Sequence, residues 1–270
     1  MRREDDDVHA QTELLERLTA AIRRDERVLG LGLSGSMADG TADEHSDVDL
    51  VVVVRDEAYD EVMADRLGLI GSWASLVDGF TGEHVGEPRL IIALVGPPLL
   101  HVDFKFVRIS DLGDRVGDPV VVWERDGSLT RALAARPAAG EGYDAAWVEE
   151  RFWTWIHYGA TKLARGELFE VIGFLGFLRE VVHGPLAAAL GGVAPRGVRR
   201  LETLAPDRAR ALEATVCGYD AAEAGAALVA CVDLYRDWTA RLTAPPRRNE
   251  LAAGLVEDYL RDVVAPGAPR

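Results

Sequence analysis

Three aspartates are the residues of this 270-residue chain whose types and spacing best suit chemistry. Asp47 and Asp49 stand one residue apart at the start of the apolar run "LVVVV", and Asp103 alternates with apolar residues in "HVDFKF". Side chains two positions apart on a strand share a face, so Asp47 and Asp49 should project together, and Asp103 joins them if the two strands are neighbours. Crowded carboxylates are costly to bury, and Mg²⁺ with oxygen ligands removes that cost while leaving positions for water and phosphate.

The turn that precedes these acids suits the same chemistry. Gly35 permits backbone conformations and a close approach that larger residues do not, and Ser36 adds a hydroxyl beside exposed backbone N–H groups. A turn of this kind can hold phosphates. Two metal ions beside it could activate an attacking oxygen and stabilise a leaving oxygen.

The stretch "GSMADGTADEHSDVDLVVV", with "HVDF" downstream, resembles the nucleotidyltransferase superfamily related to DNA polymerase β. The pattern of that superfamily is Gly-Ser, a spacer, Asp-x-Asp and a later carboxylate on another strand. With its helical second half, the chain is also similar to bacterial enzymes that adenylylate aminoglycosides or lincosamides. The resemblance implies transfer of a nucleoside monophosphate, with ATP or another nucleoside triphosphate as co-substrate, to a hydroxyl group of a small molecule.

The resemblance also implies roles for individual residues. Asp47, Asp49 and Asp103 would be the catalytic carboxylates and would hold Mg²⁺, as two ions. Gly35 and Ser36 would bind the nucleotide.

Four further residues are candidates for substrate contacts. The resemblance implies that Lys162, from the helical half, reaches the triphosphate. Lys105 shares a strand face with Asp103 and could touch phosphate or pair with a neighbouring acid. Glu167 and Glu170 could contact a cationic acceptor or act as general base, and no spacing rule decides between these roles.

The pattern of apolar residues predicts an α+β protein of two domains. A helix over residues 9–25 precedes strands in "RVLGLGL", "DVDLVVVV", "PRLIIALVG" and "LLHVDFKFVRI". A helix over 56–67, a more irregular helical stretch through Trp73 and Leu76 and a short edge strand in "PVVVWERDG" are also predicted. This N-terminal domain, residues 1–138, should hold a small mixed sheet flanked by helices. An Ala, Gly and Pro-rich linker precedes a C-terminal helical bundle, residues 139–270, which should bind the acceptor.

The net charge of −15 limits the choice of partners. It disfavours nucleic acid, because that affinity comes largely from lysines and arginines, and it favours a cationic acceptor. The N-terminus "MRREDDD" has no apolar segment and the apolar runs are short, so we expect a cytoplasmic protein without a membrane partner. The oligomeric state stays open between monomer and homodimer.

Other functions remain as alternatives. The acceptor could be a lincosamide-like molecule or a protein side chain, and the chain could be a nucleotide-binding regulator without transfer activity. "GLGLSG" also satisfies the dinucleotide pattern GxGxxG, but no apolar helical face follows it.

Overall fold

The structure is a computed structural model that describes residues 8–115, 117–135 and 142–265. The chain divides into two compact units, Met1–Gly140 and Glu141–Arg270, each with its own hydrophobic core. The predicted domain boundary at 138/139 lies outside the described residues. An α+β N-terminal unit followed by a helical unit confirms the predicted fold class.

The N-terminal unit is built on a six-stranded mixed sheet of order β3-β4-β5-β2-β1-β6. The strands are β1 Val28–Ser34, β2 Val48–Val54, β3 Leu76–Gly82, β4 Glu87–Val95, β5 Leu100–Arg108 and β6 Val120–Glu124. The helices are α1 His9–Ile22, α2 Gly35–Ala38, α3 Tyr59–Ala64, α4 Arg66–Trp73 and α5 Ser128–Ala135. The β2–β5 pair is parallel and the other four pairs are antiparallel.

One face of the sheet packs against helices. Leu14, Leu18 and Ile22 recur on one side of α1 and pack, with residues of α3 and α4, on this face. Strand residues such as Leu50 and Phe104 meet them and are almost completely buried. Burial of such side chains stabilises the unit by about 1.5–3 kcal/mol each.

The other face is covered only in part. Val53 and Val107 pack against Leu129 of α5 and Leu112 of the 3₁₀ segment Ile109–Asp114. Earlier along β2 and β5, the same face carries polar side chains and a cleft. This face of the sheet is therefore covered by apolar side chains around Val53 and Val107 and exposed to solvent in the cleft around Asp49 and Asp103.

The first predicted helix and the two strands that flank the catalytic motif are confirmed, as are the strands β4, β5 and β6. Two predictions were wrong in detail. The helix predicted over 56–67 is broken at Asp65, and the irregular helical stretch predicted through Trp73 and Leu76 ends in strand β3. Strand β3 gives a weak signal because it is an edge strand with exposed side chains on both faces, and this removes the apolar alternation that identifies a strand.

The second unit is helical throughout its described length. Its helices are α6 Ala145–Ala164, α7 Leu168–Leu178, α8 Gly184–Leu190, α9 Leu201–Leu204, α10 Pro206–Leu212, α11 Ala221–Thr239 and α12 Glu250–Val264. Phe152 and Tyr235 stack at 3.7 Å between ring centroids in its core. Glu149 is buried there and accepts hydrogen bonds from Trp153 Nε1 (2.8 Å) and Tyr235 Oη (2.7 Å).

One helical segment among the described residues, Leu168–Leu190, is long and apolar enough to cross a membrane by length and composition alone. Half of its most apolar window is buried. Val171, Leu175 and Leu178 belong to the core of the helical unit, so this unit already accounts for the apolar composition.

Candidate active site

The sheet places two of the predicted catalytic carboxylates side by side. Asp49 of β2 and Asp103 of β5 are Cα partners in the parallel register, and neighbouring strands lie about 4.8 Å apart. Both side chains are partly exposed on the open face, in line with Val51 and Lys105. The two strands are neighbours, so the condition under which Asp103 joins Asp49 is met.

Asp47 lies just outside strand β2. Strand β2 begins at Val48, so Asp47 belongs to the loop before the strand and the alternation of side chains along β2 does not fix its direction. Its position depends instead on the contacts of the loop, residues 39–47. Asp47 is partly buried.

The glycine–serine turn lies directly against Asp49. Gly35 has a φ of +66°, and a Cβ atom at this position would lie 1.9 Å from Asp49 Oδ2. Only glycine meets both requirements, the positive φ and the missing side chain. Ser36, which is partly exposed in the single turn α2, follows, and its carbonyl accepts from Thr41 N at 2.9 Å. The fold therefore brings Gly35 and Asp49 into direct contact.

A cleft of ≈ 440 Å³ extends from Asp49 and Asp103 over the open face. Its lining includes apolar side chains such as Val51 and Val107 as well as charged side chains. The charged lining residues are Asp49, Asp103, Glu87, Arg89, Lys105, Asp111 and Arg115. A lining that mixes cations, carboxylates and apolar side chains suits a ligand with both a charged and an apolar part.

Lys105 points into the cleft but is paired. Its Nζ lies 2.8 Å from Glu87 Oε2, and Arg89 donates to the same carboxylate from Nε and Nη2, both at 2.7 Å. The hydrogen bond from Arg89, followed by that from Lys105, lowers the pKa of Glu87 to about 2. Of the two roles left open for Lys105, pairing with an acid is the one that the structure contains.

Sequence reasoning missed Glu87 and Arg89. Both precede the apolar run of β4 by only a few residues, in a segment with no recognisable motif. They reach the site because β4 pairs with β5 so that Leu90 stands opposite Lys105. In the sequence, only their spacing of two residues at the start of the apolar run indicated that they could act together, because residues 87 and 89 share a face of a strand.

His101 lies beside the carboxylate pair. Its Nε2 is 3.0 Å from Asp103 Oδ1, and the imidazole is about half exposed. A histidine in this position restricts the orientation of Asp103.

No three His, Cys, Asp or Glu side chains stand together in a metal-binding arrangement anywhere in the described residues. Asp49 and Asp103 nevertheless form a pair of hard oxygen donors on an open face. Mg²⁺ is usually held by one or two carboxylates together with waters and substrate phosphates, so the donors of this pair fit that ion. They do not form a closed protein cage for it.

The remaining predicted residues belong to the helical unit, where they form one cluster. Lys162 Nζ lies 2.6 Å from Glu167 Oε2 and 5.3 Å from the centroid of the Tyr158 ring. Tyr158 Oη donates a short hydrogen bond to Glu170. The Lys162–Glu167 hydrogen bond raises the pKa of the lysine and lowers that of the glutamate. A cation and two carboxylates thus meet at the turn between α6 and α7.

The excess of negative charge is not on this helical unit. Residues 1–140 contain 27 of the 45 acids but only 15 of the 30 bases, so the unit that carries the aspartates has a net charge of −12, and residues 141–270 have −3. A triphosphate would therefore approach a unit of the same sign of charge. A bound cation would reduce this repulsion as well as neutralise the two carboxylates.

One family model matches part of this chain. Residues 15–89 match the family model of the nucleotidyltransferase domain, a stretch that includes the glycine–serine turn, Asp47 and Asp49 but ends before Asp103. A search of curated proteins gives no significant match.

Three solved structures show limited similarity, each at 14% sequence identity. An aminoglycoside 6-adenyltransferase from Bacillus subtilis aligns with 98% of this chain and 100% of its own, at a TM-score of 0.39. A nucleotidyltransferase-like protein from Exiguobacterium sibiricum aligns over 86% and 76%, at 0.37. The CdnC:HORMA-deltaN complex from E. coli MS115-1 aligns over 99% and 92%, at 0.29.

Scores this low carry no argument about substrate, so the assignment depends on the matched domain. That domain holds the Gly35-Ser36 turn and the Asp-x-Asp motif, and the structure places the turn against Asp49. Residues 15–89 of this chain therefore carry a nucleotidyltransferase domain.

Proposed function

We propose that this protein transfers a nucleoside monophosphate, AMP from ATP in the first instance, to a hydroxyl group of a small cationic molecule such as an aminoglycoside. The observation that carries the proposal is the Asp49–Asp103 pair, held in register beside the Gly35 turn at the mouth of a cleft. In the reaction, the acceptor oxygen forms a bond to the α-phosphorus while the bond from that phosphorus to the bridging oxygen breaks. Pyrophosphate leaves, and the acceptor hydroxyl loses its proton.

The residues of the N-terminal unit would divide the work of holding the triphosphate. The backbone after Gly35 and the Ser36 hydroxyl would bind phosphate oxygens. Asp49 and Asp103, joined by Asp47 from the loop, would hold Mg²⁺. When bound, the metal supplies positive charge that neutralises the phosphates and activates the attacking oxygen.

The acceptor would be held by carboxylates of the helical unit, for which Glu167 and Glu170 are the candidates. Tyr158 orients Glu170 by a hydrogen bond, and both Lys162 and Arg165 pair with Glu167, so a cationic acceptor group would compete with these cations for the carboxylate. Release of Lys162 would then leave its ammonium for a phosphate. The choice of a cationic acceptor rests on these carboxylates and on the overall negative charge.

The test is substitution of Asp49 by Asn, with Glu57→Gln as the control. Glu57 is exposed in the same unit, so both variants lose one negative charge, but only Asp49 belongs to the carboxylate pair. We expect Asp49→Asn to abolish transfer from each nucleoside triphosphate to an aminoglycoside panel, measured by product mass, and Glu57→Gln to retain it. The unfolding midpoint of Asp49→Asn in metal-free buffer should hold or rise, because two adjacent carboxylates no longer repel.

The same experiment separates the alternative functions. Transfer only to neutral lincosamides, or to a protein, would remove the cationic acceptor and keep nucleotidyl transfer. Binding of Mg²⁺-ATP with no product from any acceptor would indicate a regulator. Normal turnover by Asp49→Asn would overturn the assignment of the active site.

A further inference from the structure

Gln11 is a polar residue inside the apolar face of α1. It is only 2% exposed and stands one turn before Leu14, in the row of residues that packs on the sheet. A primary amide in such a place costs about 1–3 kcal/mol unless it finds hydrogen-bond partners. Its partners show what it does.

The side-chain Nε2 of Gln11 donates to the loop that leads to Asp47. The acceptors are the backbone carbonyl oxygens of Ser46 at 3.1 Å, Glu44 at 3.3 Å and Asp43 at 3.4 Å. An amide nitrogen has two N–H groups, so three carbonyls converge on two donors. Gln11 therefore holds the loop at several points, over the residues immediately before Asp47.

Hydrogen bonds inside the loop fix its conformation, so Gln11 can position residues 43–46 as a unit. Asp43 Oδ1 accepts from the His45 backbone N–H at 3.0 Å and from Ser46 Oγ at 3.1 Å. The Ser46 backbone N–H donates to the Asp43 carbonyl at 3.0 Å, and Ser46 Oγ accepts from the Asp43 N–H at 2.9 Å. These bonds close the turn on itself, while the bonds from Gln11 tie it to α1.

We infer that Gln11 is a positioning residue for Asp47, which it sets in place for Mg²⁺-triphosphate binding by anchoring residues 43–46 to α1. Asp49 and Asp103 need no such device, because the β2–β5 register places them. Asp47 lies before the strand begins, so its position follows from the loop. The inference rests on the proposed function, since it takes Asp47 to be a metal ligand.

The experiment compares Gln11→Met with Leu18→Ala. Methionine keeps the unbranched shape and the helix propensity of glutamine but cannot donate. Leu18 lies two turns further along the same buried row of α1 and is fully buried, so Leu18→Ala destabilises the same helix without removing a bond to the loop. Two readouts apply to the full chain: amide hydrogen exchange at His45 and Ser46, and calorimetric affinity for Mg²⁺-ATP.

We expect Gln11→Met to increase exchange at both amides and to weaken Mg²⁺-ATP binding about tenfold, the lower end of the loss seen when the supports of metal ligands are removed. Affinity for ATP without metal should stay unchanged. Leu18→Ala should lower the unfolding midpoint and leave the Mg²⁺-ATP affinity as in the wild type. This difference separates positioning from a general loss of stability.

The outcomes that contradict the inference differ from those that contradict the proposed function. A wild-type chain that does not bind Mg²⁺-ATP overturns the proposed function, and the inference with it. A wild-type chain that binds, together with a Gln11→Met variant of equal affinity or of unchanged exchange, overturns only the role of Gln11. Equal weakening by Leu18→Ala and Gln11→Met would also overturn it, because the effect would then be one of stability.

Discussion

Lys162 and Glu167 form an ion pair at the turn between α6 and α7, with 2.6 Å between Nζ and Oε2. The family resemblance implies that the lysine reaches the triphosphate, and we propose that the glutamate contacts the acceptor. Since the two side chains pair with each other, a substrate group that binds either residue would compete with this ion pair. The binding of the two substrates should therefore be linked.

A double-mutant cycle tests this link. We expect Lys162→Ala to raise the Michaelis constant for the triphosphate and Glu167→Gln to raise that for a cationic acceptor. The double variant should lose less than the product of the two single effects, because each single change also removes the partner of the other residue. Glu150→Gln, at the exposed start of α6, is the control and should change neither constant. Strictly multiplicative effects would show that the two residues act independently, which would contradict the link.

Gly35 and Gly40 form a matched pair for testing the phosphate turn. Both have a positive φ, +66° and +67°, so alanine at either position costs about 1–2 kcal/mol of backbone strain. A Cβ atom at Gly40 meets nothing within 4 Å, whereas at Gly35 it would overlap Asp49. Gly35→Ala should therefore lose Mg²⁺-triphosphate binding by calorimetry, and Gly40→Ala should be destabilised yet bind. Equal binding by both variants would contradict the packing of the turn on Asp49.

Glu87 should make the stability of the N-terminal unit depend on pH in the acidic range. Its pKa falls from an ordinary 4.5 to about 2, chiefly through the hydrogen bond from Arg89 and then that from Lys105. A depressed pKa in the folded state adds stability that is complete above the unfolded pKa and is lost as the pH falls through the folded one. The contribution should thus decline between about pH 4.5 and pH 2. Since the carboxylate is partly exposed to solvent, screening reduces the size of this contribution.

The measurement is urea unfolding of wild type and Glu87→Gln at several values of pH. The difference in unfolding free energy between the two should be largest near pH 6 and should narrow below pH 4.5. Salt should reduce it, as for any accessible ion pair. A constant difference down to pH 2 would show that Glu87 is not ionised with Arg89 and Lys105.

Local sequence determined much of this protein. The apolar spacing of Leu14, Leu18 and Ile22 predicts α1, and the run after Asp49 predicts a buried strand, because periods of 3.6 and 2 follow from backbone geometry alone. The glycine–serine turn and the two aspartates also lie within a few residues of each other, so their spacing could be read directly. These features depend on neighbours in the chain.

Tertiary structure alone decided how the distant parts of the site meet. The parallel register sets Asp49 beside Asp103, and the pairing of β4 with β5 brings Glu87 to Lys105. Gln11 looks like an ordinary polar residue of an amphipathic helix until its amide is seen to meet the carbonyls of the Asp47 loop. No periodicity encodes such contacts, because they depend on which strands pair and in which register, and the burial of the whole core selects that register.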